Sequence, residues 1–222
     1  MGKILKKVGA DRIVAFVDDI KEIDIEKKID VVIDFSHFSK INDLLDGCVE
    51  RGYPLVICTT GYSEEVLEKI IEASKKIPIL LSSNTSLGIA AINDMLEELV
   101  QKLEESFDIE IIEKHHNKKI DSPSGTAVTF TENIQNSLRE KYSVIYGREC
   151  VGKRAKKEIG VHSVRGGTIV GEHTIIFAGE DEVVEISHKA LSKKIFAVGA
   201  LKCAEFLIGK QPKLYTMKDI FD

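Results

Sequence analysis

The sequence has no C-x-x-C pair, no basic excess and no apolar run near the about 18 residues that a membrane-spanning helix needs. Each absence removes a class of function. Cys48, Cys58, Cys150 and Cys203 lie far apart, which argues against a zinc ribbon or disulfide framework and for reduced, buried thiols in a cytoplasmic chain. A formal net charge of -5 gives no global attraction to phosphate backbones or anionic lipid, so nucleic acid and membrane are not expected partners. The N-terminus shows no apolar stretch leading into a small-residue cleavage site, so secretion is not expected. Internal repeats and low-complexity segments are also missing. What remains is a chain of 222 residues, 43% hydrophobic and 30% charged, with the composition of an ordinary globular protein and the length of one large domain or two small ones.

Periodicity divides the chain in two. Met1, Ile4, Leu5 and Val8 recur at helical spacing and predict an opening helix that ends near Gly9. Residues 12–17, 31–35, 55–58 and 77–81 are short apolar, β-branched runs of the kind buried in parallel sheets. Helical patterns at 41–51 and 63–76 separate the later ones. This alternation predicts an α/β domain with a parallel sheet over residues 1–85. A long helix follows at 90–106, then a half-buried strand at 107–113 and a helix at 126–141. Segments 158–165, 168–178 and 181–188 read as strands of an antiparallel or mixed sheet, joined by Gly166, Gly167, Gly179 and Glu180. The apolar helix at 195–208 is expected to return to the first domain.

The densest polar cluster is residues 114–127, KHHNKKIDSPSGTA, which ends in a helix start. Ser124, Gly125 and Thr126 would direct unpaired backbone N–H groups and a hydroxyl ahead of that helix, a natural site for an anion. Imidazole and ammonium groups just upstream can hold a carboxylate and hand on a proton, because both can be tuned toward neutral pH. The chemistry points to a small anionic acid as substrate. The alternative is a solvated loop with an ordinary helix cap. A metal is not expected, since adjacent histidines do not both face one ion easily and no carboxylate or cysteine stands at a familiar ligand spacing. Residues 153–157 (KRAKK) read as a mobile loop near the site rather than a phosphate patch, and His162, His173 and His188 as hydrogen-bonded residues of a sheet.

The stretch E-K-H-H-N-K-K-I-D-S-P-S-G-T-A resembles the E-x-H-H-x-x-K-x-D-x-P-S-G-T-A signature of dihydrodipicolinate reductases. The resemblance continues through I-D-F-S at 33–36, T-T-G at 59–61, S-N-T-S-L-G at 83–88, G-R-E at 147–149 and E-I-G-V-H-S-V-R-G-G-T-I-V-G-E-H-T at 158–174. It extends through F-A-G-E at 177–180, I-S-H-K-A at 186–190 and F-A-V-G-A-L at 196–201. It implies hydride transfer from NADH or NADPH to 4-hydroxy-tetrahydrodipicolinate, a step of lysine synthesis through diaminopimelate. The implied fold is an N-terminal Rossmann-like parallel sheet with a second α+β domain. Residues 1–85, completed by 195–222, would bind the dinucleotide, and residues 86–194 would bind substrate and form a homotetramer.

By position, His115 resembles the catalytic acid/base and Lys119 the proton donor, while His116, Gly125 and Thr126 resemble the contacts to the substrate carboxylates. Thr59, Thr60 and the turn Ser82, Ser83, Asn84, Thr85 resemble the nicotinamide-side loops. Cys58 stands where the family usually has glycine, and its larger side chain would crowd a backbone approach. Asp18 matches the acidic residue that binds an adenosine ribose, and Asp19 is not the arginine that would welcome a 2′-phosphate, so NADH is expected over NADPH.

The family's first strand and glycine-rich turn, G-x-x-G-x-M-G, are represented only by Met1-Gly2. Two expectations follow. Either a working reductase has its true start upstream of Met1, or the chain is a non-catalytic remnant that keeps the substrate domain and assembly surface without binding dinucleotide. A dehydrogenase of similar architecture acting on another small acid fits the His-His-Lys signature less well.

Overall fold

The computed structural model describes residues 1–9, 12–23, 28–149 and 151–221. Cys150 lies outside the described residues. The chain divides into two compact units, Met1–Leu87 with Lys194–Asp222, and Gly88–Lys193.

The first unit is built on a parallel sheet of β1 (Val32–Asp34), β2 (Leu55–Ile57), β3 (Ile79–Leu81) and β9 (Leu214–Tyr215), in that order. Successive side chains of a strand face opposite sides, and here both sides are apolar. Leu55, Ile57 and Ile79 pack under α2 (Ile41–Arg51) and α3 (Glu64–Ser74) through Ile41, Leu45, Cys48 and Ile70. Val56 and Leu80 point the other way, onto Cys203 and Leu207 of α6 (Lys194–Leu207). Burial on two faces is why these runs read as continuous apolar segments and not as alternating ones.

The opening helix, α1 (Gly2–Val8), closes at Gly9, whose N–H donates to Leu5 O at 2.8 Å. Its buried Leu5 packs on Ala197 and Leu201 of α6. Residues 12–17 correct the sequence reading, because they form no strand. An apolar run becomes a strand only where a neighbour accepts its backbone groups. β1 is the edge of the sheet, and no described residue pairs with its outer side. Val14 and Phe16 are left exposed.

The second unit places five strands in the order β5-β6-β4-β7-β8. They are β4 (Asp108–His115), β5 (Ser143–Tyr146), β6 (Glu158–Arg165), β7 (Glu172–Ala178) and β8 (Val183–Lys189). The sheet is mixed. β5, β6 and β4 run parallel, while β7 and β8 add antiparallel. One face carries Ile109, Ile111, Ile159, Val161, Ile175 and Phe177, and is covered by α4 (Leu87–Leu103) and α5 (Gly125–Ser137).

α5 stops short of the sequence expectation because Leu138 leaves the helix in an extended conformation (ψ 146°). Residues 153–157 form no helix or strand. Arg154 turns inward to Asp108 at 2.7 Å and Glu110 at 3.0 Å, which fixes it at the start of β4, seven residues from His115 at its end. No helix among the described residues is long and apolar enough to cross a membrane.

Candidate active site

β4 alternates buried and half-buried positions, and the buried set is Ile109, Ile111, Glu113 and His115. The strand therefore carries its apolar register straight into a carboxylate and an imidazole. Glu113 is fully buried, a costly place for a charge unless it is paired. It is paired on both oxygens. Arg165 donates through Nη1 to Oε2 at 2.8 Å and through Nη2 to Oε1 at 2.6 Å, in the two-pronged geometry that suits a guanidinium. The Ser124 amide donates to Oε1 at 3.1 Å, and His115 Nδ1 lies 2.6 Å from Oε2. Burial opposes the charged form, but Arg165, Ser163 and His115 outweigh it and hold the carboxyl down at about 2.

The loop after β4 returns to the same place. Asn117 N donates to Gly167 O at 3.2 Å and Lys119 N to His116 O at 3.1 Å, so the turn brings Lys119 back toward the strand end. The Lys119 ammonium sits 2.8 Å from Asp121, and its charge acts on both His115 and His173. α5 then begins at Ser124, whose Oγ accepts from Ala127 N at 3.3 Å, a cap worth about 1 kcal/mol. That same Oγ lies 2.9 Å from His173 Nε2.

The five residues expected from sequence, His115, His116, Lys119, Gly125 and Thr126, thus lie around the strand end and helix start. His116 Nδ1 is buried without a partner among the described residues, and Gly125 is exposed at the first helical position. Burial lowers the His115 imidazole below its ordinary value, opposed by Glu113 and assisted by Lys119 and Arg165. Among the described residues no group of histidine, cysteine and carboxylate side chains could hold a metal.

The sequence reading did not assign functions to Glu113, Arg165, His173 or Gly171. Strand parity was the available signal, since Glu113 falls on the same alternate positions as Ile109 and Ile111. Gly171 matters for space: a Cβ there would stand 3.0 Å from His115 Nε2.

The residues expected from sequence to meet the cofactor, Thr59, Thr60 and Ser82 to Thr85, lie in the first unit after the carboxyl ends of parallel strands, where open α/β sheets bind ligands. Thr59 Oγ1 donates to Ser36 O at 3.1 Å, joining the loops after β2 and β1. Ser82 Oγ donates to Asn84 O at 2.9 Å, and Asn84 Oδ1 accepts from Ser86 N at 2.9 Å. Thr60 and Ser83 are exposed, whereas Thr85 is buried and donates to Phe196 O at 2.8 Å. That turn rests on α6 at Gly199, where a Cβ would fall 1.6 Å from Thr85 O.

Cys58 does not crowd the loop. Its side chain packs into the core near Cys203, and burial raises its thiol. Asp18 is exposed, while Asp19 accepts from Lys21 N at 2.9 Å and caps a short 3-10 turn. This set of hydroxyl, amide and carboxylate groups fits the ribose and amide of a nicotinamide dinucleotide.

Comparisons with known proteins agree on one family. The family model "Dihydrodipicolinate reductase, N-terminus" matches residues 2–85, and "Dihydrodipicolinate reductase, C-terminus" matches residues 88–221. A 4-hydroxy-tetrahydrodipicolinate reductase of Brachyspira hyodysenteriae is 48% identical over 98% of this chain and 92% of its own. That of Clostridium tetani is 53% identical over 85% of this chain and 74% of its own. The solved structure of a dipicolinate-bound dihydrodipicolinate reductase from Paenisporosarcina superposes with a TM-score of 0.75 at 22% identity, covering 91% of this chain and 77% of that one, and shares the fold. With both family models matched and near-half identity sustained along almost the whole sequence, the chain belongs to the dihydrodipicolinate reductase family.

Proposed function

We propose that this chain is an NAD(P)H-dependent reductase of 4-hydroxy-tetrahydrodipicolinate, acting in lysine synthesis through diaminopimelate. The observation that carries the residue-level reading is the cluster at the end of β4: two imidazoles, an ammonium and the start of α5. Such a set suits a ring with two carboxylates, and dipicolinate, the ligand of the Paenisporosarcina relative, has that shape.

A bound reduced nicotinamide supplies the hydride. Once the 4-hydroxyl has left the ring as water, the hydride adds to the conjugated double bond that remains and Lys119 delivers the proton that completes the reduction, with His115 acting as acid/base. Anchoring falls to His116, whose Nδ1 has no hydrogen-bond partner among the described residues, and to the first turn of α5 at Gly125 and Thr126. These donors also offset the negative charge that develops during transfer. Asp121 holds the Lys119 ammonium at 2.8 Å and must yield it when substrate arrives.

Asp18, Thr59, Thr60, Ser82, Ser83, Asn84 and Thr85 would hold the dinucleotide in a domain of residues 1–85 and 195–222, with Thr85 and the partly buried Cys58 contributing backbone. Residues 86–194 form the substrate and assembly domain. An acidic Asp18 favours a free 2′-hydroxyl, hence NADH over NADPH. A homotetramer is the assembly we infer, supported by the exposed Val164 and Val183 on the uncovered face of the mixed sheet. A cytoplasmic location is supported by the unpaired thiols Cys48, Cys58 and Cys203.

The non-catalytic remnant is the less favoured reading, because similarity to named reductases spans 98% of the chain. Titration with NADH followed by fluorescence, and then with dipicolinate, tests the proposal. Saturable binding of both is expected, and binding of neither would restore the remnant.

A further inference from the structure

Glu113 and His115 sit two residues apart on one strand, so their side chains rise from the same face. The 2.6 Å separation of Oε2 and Nδ1 makes them a bonded pair, and the direction of that bond is determined by the carboxylate. Glu113 is an ionised carboxylate saturated by donors: Arg165 at 2.8 and 2.6 Å and the Ser124 amide at 3.1 Å. An ionised carboxylate only accepts. His115 Nδ1 must therefore carry the hydrogen, which leaves the lone pair of the neutral ring on Nε2. The ring is held from a second side by His173, edge to face at 5.2 Å between centroids. Nε2 faces the backbone of Gly171, where a Cβ would stand 3.0 Å from it.

We infer that Glu113, clamped by Arg165 and the amide that starts α5, is a positioning residue that locks His115 in the Nδ1–H tautomer and so presents Nε2 to the substrate. The inference rests on His115 being the acid/base group. Glu113 touches no substrate itself. Its clamp links the strand end, the arginine before the Gly166–Gly167 turn and the helix start in one carboxylate, so the ring orientation and the anion-binding amides are set together. Arg165 adds a donor to the Asp121 carbonyl at 2.7 Å, which ties the Lys119 loop to the same point.

Glu113→Gln separates tautomer control from packing. The amide keeps the volume and one acceptor for Arg165, but turns an N–H toward Nδ1 and favours the opposite tautomer. In an aspartate–histidine pair of the same logic, a carboxylate-to-amide change costs about 10⁴-fold in kcat.

For this pair a loss of about 100-fold or more in kcat is expected, with KM within about threefold. The double variant with His115→Gln should be no slower than His115→Gln alone. Two-bond 15N–1H spectra of the unaltered protein at neutral pH should show His115 protonated on Nδ1 and bare on Nε2.

A hydrogen on Nε2 in that spectrum would overturn the inference whether or not Glu113→Gln folds. So would a Glu113→Gln enzyme with undiminished kcat beside a crippled His115→Gln. Full activity of His115→Gln would instead sink the acid/base reading itself, and the inference with it.

Discussion

The imidazoles of His115 and His173 meet edge to face, 5.2 Å between ring centroids, and Ser124 Oγ holds the far side of His173 at 2.9 Å. His173 faces His115 and Glu113 from β4, His188 from β8 and Lys119 from the loop. Burial first, and then its neighbour His115, lower the His173 ring from 6.5 to about 4. A histidine of β7, separated from β4 in sequence by α5, β5 and β6, therefore helps fill the site as a neutral ring.

Acid should unfold the second unit in two windows. For His173 and for Glu113 the folded value lies below the unfolded one, so each contribution is complete above the unfolded value and lost as pH falls through the folded one. The windows run from 6.5 down to about 4 for His173 and from 4.5 down to about 2 for Glu113. Urea midpoints measured from pH 7 to pH 2 should fall through both. A midpoint independent of pH over that range would contradict the buried, paired carboxylate.

Lys119→Ala should lower kcat by ~100-fold or more, the usual scale for losing a positioned proton donor. Steady-state kinetics at saturating cofactor would show it. An unchanged kcat removes Lys119 from the chemistry and leaves its ion pair with Asp121 as a loop contact.

Gly171→Ala should slow the enzyme without unfolding it. The new Cβ would stand 3.0 Å from His115 Nε2, and the ring cannot turn away because Glu113 and His173 hold it. A drop of about 10-fold in kcat is expected, one order of magnitude being about 1.4 kcal/mol of barrier. A thermal melt should move little, and wild-type kinetics would mean that Nε2 is not the working atom.

Cofactor choice follows from charge at the ribose. With Asp18 exposed where the 2′ position is expected, KM for NADH should be lower than for NADPH, and Asp18→Asn should narrow the gap. A tenfold preference for NADPH in the unaltered enzyme would overturn the assignment of Asp18.

Much of this was legible in residue order, for identifiable reasons. β2 and β3 announce themselves because both faces are apolar and mostly buried, and β4 because Ile109, Ile111 and Glu113 alternate with half-buried neighbours. Residues 12–17 had the same apolar signature yet form no strand, since composition cannot say whether a pairing neighbour exists. β5 and β9 escaped notice because they are short, with four and two residues, and β5 exposes both ends.

At the site, the 114–127 motif located His115 and Lys119, but their regulators come from elsewhere in sequence. Arg165 lies 52 residues from Glu113 and reads in sequence as the last residue of a strand, and His173 lies 49 from Ser124. Long-range pairing across β4, β6 and β7 creates that constellation, and no local spacing encodes it. Gly199 was quoted within a motif, while its reason, contact with the Thr85 carbonyl, is tertiary.

The most direct measurement is the rate of NADH oxidation with the ring compound generated in place from pyruvate and aspartate semialdehyde, for the unaltered chain and His115→Gln side by side. Substrate-dependent oxidation by the former and a loss of about 100-fold or more in the latter are expected. Equal rates in both, or no oxidation by a chain that binds NADH and dipicolinate, would contradict a reductase centred on the end of β4.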